Sequence, residues 1–174
     1  MARFAGLGLA ATMLLAAGSA EAGREIDRYE VGYWAVYAWE QDDGSFGHCG
    51  IETNFKDGTT LIVAFNDSGV IVTLGNDDWQ LGSGDTYRVS LQIDGRYRRN
   101  ANLDAVSQTI GSIELGWDNN FWSAFRSGNK MRIESRSGQA WNMSLRGTSK
   151  ASVALKKCYD IYGKRSGSSA NPFD

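Results

Sequence analysis

Apolar and polar residues alternate along most of the chain, in short runs broken by glycine-bearing turns. Tyr87, Val89, Leu91 and Ile93 alternate with Arg88, Ser90 and Gln92. That is the period of a strand with one face on a core and the other in water. Val31–Glu40 is apolar in both registers: Tyr33, Ala35, Tyr37 and Trp39 would share one face, and Trp34, Val36 and Ala38 the other. This predicts a strand covered on both sides. Further strands are predicted over 47–55, 60–65, 70–74, 107–115, 130–135 and 140–145, with a polar edge strand over 96–103. Asp-Gly in "KDGT" and at Asp94-Gly95 marks tight hairpins, because these residues accept positive φ.

Two segments change period. "DNNFWSAFRSGN" predicts a short helix, capped by Asp118, with Phe121, Trp122 and Phe125 on one side and Gly128 at its end. In "TSKASVALKKCYDIY", Ala151, Ala154, Leu155, Cys158 and Ile161 or Tyr162 fall at amphipathic-helix spacing. Thr148 or Ser149 is the expected cap and Gly163 the expected stop. The predicted fold is mainly β: an antiparallel sandwich or barrel of about eight or nine strands, with a C-terminal helix packed on it.

The first residues do not belong to that fold. Arg3 precedes an uncharged apolar stretch from Phe4 to Ala17, and Ala20-Glu21-Ala22 fits the small-x-small rule of signal peptidase. The stretch is shorter than the roughly 20 residues that span a bilayer. The expectation is a signal peptide over 1–22, cleaved near Ala22, and a periplasmic or secreted product with no transmembrane segment in the mature chain. Residues 23–162 would form one β-rich domain, and the glycine- and serine-rich 163–174 a disordered tail. A net charge of −2 gives no global attraction for nucleic acid.

Candidate chemistry is sparse. The one histidine, His48, adjoins Cys49, one of two cysteines. Neighbours on a strand point to opposite faces, so His48 is poorly placed to activate Cys49. His48 is expected to be exposed and titrating. A Cys49–Cys158 disulfide would tie the last helix to the sheet, closing about 110 residues at a gain of roughly 4–5 kcal/mol. Metal binding at His48 and Cys49 lacks further partners, and the acidic turns do not match a calcium loop, so no metal or cofactor is expected. No G-x-S-x-G occurs, and a carboxylate pair for glycoside hydrolysis is not singled out.

Two surface features remain. "GRYRRNAN" places Arg96, Arg98 and Arg99 around Tyr97. Such residues could bind an anionic polymer such as lipopolysaccharide, or guard a sheet edge against aggregation. Six Trp and seven Tyr exceed what a core of this size requires. Tyr37, Trp39, Trp79, Trp117 and Trp122 are therefore candidate ligand-binding residues, able to stack on sugar rings or anchor a protein.

Ser144-Leu145-Arg146-Gly147, followed by the small-residue helix from Ala151 to Leu155, resembles the ending of exported proteobacterial proteins of the invasion-associated locus B type. The resemblance implies an exported β-sandwich without catalytic residues. The expected function is a non-enzymatic envelope binding domain for a protein or glycan, such as an inhibitor or a host- or stress-associated factor. A carboxylate-dependent carbohydrate-active hydrolase and a structural envelope component are the alternatives.

Overall fold

The computed structural model describes residues 23–166; the expected signal peptide and residues 167–174 lie outside the described residues. Ten strands form first a meander: β1 (Arg24–Val31), β2 (Trp34–Glu40), β3 (Phe46–Asn54), β4 (Thr60–Asn66) and β5 (Gly69–Gly75). Then follow β6 (Thr86–Ile93), β7 (Tyr97–Ala105), β8 (Ile110–Gly116), helix α1 (Asn119–Ser127), β9 (Lys130–Ser135), β10 (Ala140–Ser144) and helix α2 (Thr148–Ser166). The strands make one antiparallel sheet in the order β1-β2-β3-β4-β5-β8-β7-β6-β9-β10, which does not close into a barrel.

A flat sheet of that order would place β2 and β10 eight strand spacings apart, about 38 Å. Yet Trp34 of β2 donates its indole N–H to the Arg146 carbonyl just beyond β10, at 3.0 Å, and packs edge-on against Phe125 of α1 at 6.0 Å. The sheet therefore curls over its own core. Trp34, Val36 and Ile51 from one limb share that core with Leu91, Ile133 and Met143 from the other. The two limbs meet at a narrow seam, because β7 pairs with β8 only at Asp104 and Ala105.

The helices fill the inside of the curl. Asp118 caps α1 by accepting from the Phe121 N–H at 2.8 Å, as its position predicts. Phe121 and Phe125 are fully buried, each burial worth roughly 1.5–3 kcal/mol. Helix α2 lies on β2 and β3 with Ala151, Leu155 and Cys158 buried against them.

Three local expectations are corrected. Strand β1 was not expected: it is charged, and it pairs along β2, whose backbone N–H and C=O groups on that flank it satisfies. Its Arg24 and Arg28 reach Glu40, Glu25 and Glu52, so this edge carries charges that discourage further pairing. The predicted polar edge strand is β7, which lies inside the sheet, although its β8 flank is unpaired over most of its length. Helix α2 passes through the expected stop at Gly163, which is buried against the Tyr159 side, and runs to Ser166. Its first bonds run to the Gly147 carbonyl, while Thr148 turns its hydroxyl to the Leu145 and Phe125 carbonyls instead of capping.

Candidate functional site

Cys49 of β3 and Cys158 of α2 are joined in a disulfide, with Cα atoms 6.0 Å apart and both residues in the core. Strand alternation puts His48 on the opposite face, as expected. It is not exposed, however. Its ring stacks on Trp39 at 6.1 Å and meets Tyr37 edge-on at 5.6 Å, and burial lowers its pKa. Tyr37 lies flat over Gly50 with Arg28 above its ring, and burial pushes its phenol up. A side chain at position 50 would collide with that ring, so glycine is required there.

The five candidate aromatics divide. Tyr37 and Trp39 form the His48 cluster on the outer face of the sheet. Trp79 is half-buried against Trp141, 5.1 Å away. Trp117 and Trp122 come together at a separate place, the mouth between the β4–β5 hairpin, α1 and α2. Phe65 lies between them, 5.8 Å from Trp117 and 4.7 Å from Trp122, and Tyr159 of α2 meets Trp117 at 5.7 Å. The groove they outline holds about 350 Å³, and Trp117 at its rim is 57% exposed. Phe65 and Tyr159 were not singled out in the sequence. One reads as a strand-end core residue and the other as the neighbour of a helical cysteine; only the tertiary fold brings them to Trp117.

The groove rim is polar. Lys156 and Asp160 form an ion pair one helical turn apart on α2, and Asp118 and Asn119 stand opposite. Asp118 is fully occupied. It accepts from the Phe121 N–H, from the Tyr97 hydroxyl at 2.8 Å and from Arg99 at 2.9 Å. Burial opposes its ionisation, but these donors outweigh it and hold the carboxyl below the usual range. Tyr97, buried and facing that carboxylate, is pushed up to about 12. Asp118 is thus held as an ion by its donors, which does not suit it to the proton-donating half of a hydrolytic pair.

The three arginines of "GRYRRNAN" do not act together. Arg99 serves Asp118 and the Leu115 carbonyl; Arg96 pairs with Asp94 and the Ser127 carbonyl; Arg98 alone lies on the outer sheet face, bonded to Gln92 at 2.9 Å. Among the described residues, no group of three or more His, Cys, Asp or Glu side chains could hold a metal ion. No described helix is long and apolar enough to cross a membrane.

The fold has a likeness among solved structures. The chain is similar in fold to invasion associated protein B from Bartonella henselae. The likeness covers 77% of this chain and 99% of that one, with a TM-score of 0.56 and 17% identity. At that identity it is a likeness of fold, in keeping with the resemblance at Ser144–Gly147. No family model matches the chain, and neither does any curated protein.

Proposed function

We propose that the protein is an exported, non-enzymatic binding domain that seats a ring of a neutral glycan in the groove under Trp117. The exposed Trp117, backed by Phe65, Trp122 and Tyr159, carries this reading. Apolar sugar faces pack on such rings, while Asn119, Lys156 and Asp160 at the rim offer donors and acceptors to sugar hydroxyls. Export is supported by the signal-like residues 1–22 and by the disulfide, a bond that persists in oxidising compartments. The fold shared with a protein described as invasion-associated supports a role at the envelope. Engagement of Asp118 and Asp160 by their own donors favours binding over hydrolysis.

A protein partner is the second reading, favoured by an exposed tryptophan ringed with charge, the anatomy of an interface hot spot. Tryptophan fluorescence titrated with N-acetylglucosamine oligomers separates the two. The glycan reading expects a saturable change that Trp117→Ala weakens by about tenfold or more, while Trp79→Ala leaves it intact. Failure of every neutral oligosaccharide to bind, or full binding by Trp117→Ala, rejects it.

A further inference from the structure

The outer face of β7, β6 and β9 carries a regular polar grid that the groove does not involve. Pairing fixes its rows. Arg88 stands beside Asn102, and Arg136 continues that row because Val89 pairs with Ser135. In the middle row Ser90 lies between Asn100 and Glu134. In the third, Gln92 lies between Arg98 and Arg132. No apolar side chain falls on these positions, because the alternate residues Val89, Leu91, Ile93 and Ile133 are buried in the core beneath.

Within these three rows four arginines stand against one glutamate, with Asp104 in the next row on β7 bonded to the Thr86 hydroxyl, in a chain whose net charge is −2. Arg132 is paired with Glu134 at 3.1 Å, and Arg98 is held by Gln92. Arg88 and Arg136 have no ion pair among the described residues. They flank a depression of about 670 Å³ that Ser90, Asn100, Asn102 and Glu134 also line. The guanidinium rows stand four residues apart along the strands, about 14 Å, with amides and a hydroxyl between them.

We propose that this grid is a second binding site, for an acidic saccharide whose carboxylate or phosphate groups pair with Arg88 and Arg136 while its hydroxyls meet Ser90, Asn100 and Asn102. An arginine fork matches either anion in two parallel hydrogen bonds. The grid has no aromatic platform on which a nucleobase could stack. Glu134 at its centre, paired with Arg132, keeps an oxygen that can accept from a sugar hydroxyl. The absence of apolar side chains disfavours a lipid surface. The site stands independently of the Trp117 groove.

Calorimetric titration of the protein with oligogalacturonate, a phosphorylated glucosamine disaccharide, single-stranded DNA and a neutral dextran oligomer tests the assignment. At least one acidic saccharide should bind about tenfold more tightly than dextran, and the better of the two identifies the anion. Raising salt from roughly 0.05 to 0.3 M should weaken it. Arg88→Gln with Arg136→Gln should cost about tenfold, with circular dichroism unchanged because both side chains are exposed. Trp117→Ala should bind the acidic probe as the parent does, whatever becomes of the groove. Equal affinity for dextran, undiminished binding by the double variant, or DNA binding as tight as the saccharide would each overturn the proposal.

Discussion

Replacing Cys49 and Cys158 together by alanine opens a covalent loop with a sequence separation of 109. In the chain-entropy account such a loop removes about 4.8 kcal/mol worth of freedom from the unfolded chain. Both cysteines sit in the core, Cys49 fully buried and Cys158 4% exposed, so losing the two sulfur atoms adds a packing cost. Residual structure in the reduced unfolded chain works the other way. The expected net loss is about 3–5 kcal/mol, a large share of the roughly 5–15 kcal/mol that holds a domain. Urea unfolding of the oxidised protein and of the double variant, followed by tryptophan fluorescence, measures it. The variant should also have a larger m value, since its unfolded chain exposes more surface. A loss below about 1 kcal/mol with m unchanged would refute the loop-entropy reasoning. It would mean that α2 stays on β2 and β3 by apolar packing alone.

Two further perturbations test local packing. Burial lowers the His48 pKa, so as pH falls through about 6.5 the unfolded chain protonates first and stability is lost until the folded imidazole also protonates. Asp118, held below the usual carboxylate range, contributes stability that is lost only at more acidic pH. His48→Gln should therefore flatten the urea midpoint between about pH 7 and 5; parallel profiles for parent and variant would contradict the burial argument. Gly50→Ala places a methyl group on the Tyr37 ring and should cost about 1–3 kcal/mol, with an unshifted urea midpoint counting against the contact.

Alternation was enough to read the half-buried strands. β6 shows its buried and exposed registers plainly, and β2, apolar on both faces, lies inside the sheet as expected. β1 escaped notice because backbone pairing with β2, not side-chain burial, makes it a strand; most of its residues are exposed. The bridge was legible because two cysteines in a chain expected to be exported have few other uses, and because one falls on a strand and one on a helix. The aromatic groove was half legible. Trp117 and Trp122 are near in sequence, but Phe65 and Tyr159 join them only once the β4–β5 hairpin and α2 meet, a long-range contact with no periodic trace. His48 was misread as exposed, since alternation assigns a face and cannot say that Trp39 and Tyr37 cover it. The arginines misled for the same reason: closeness in sequence joined Arg96, Arg98 and Arg99, whereas strand register joins Arg98 with Arg88, Arg132 and Arg136.

The bridge also sets how the molecule bears tension. Pulling on the two ends loads β1, β2, the start of β3 and the end of α2, and then passes straight from Cys49 to Cys158 through covalent bonds. Everything between those cysteines is mechanically shunted. That protected stretch holds Trp117 and Trp122, the whole arginine grid and the narrow β7–β8 seam, which is the weakest join in the sheet. Pulled from its two ends, the chain would fray at β1, β2 and the last turns of α2 while the stretch between the two cysteines stays unextended.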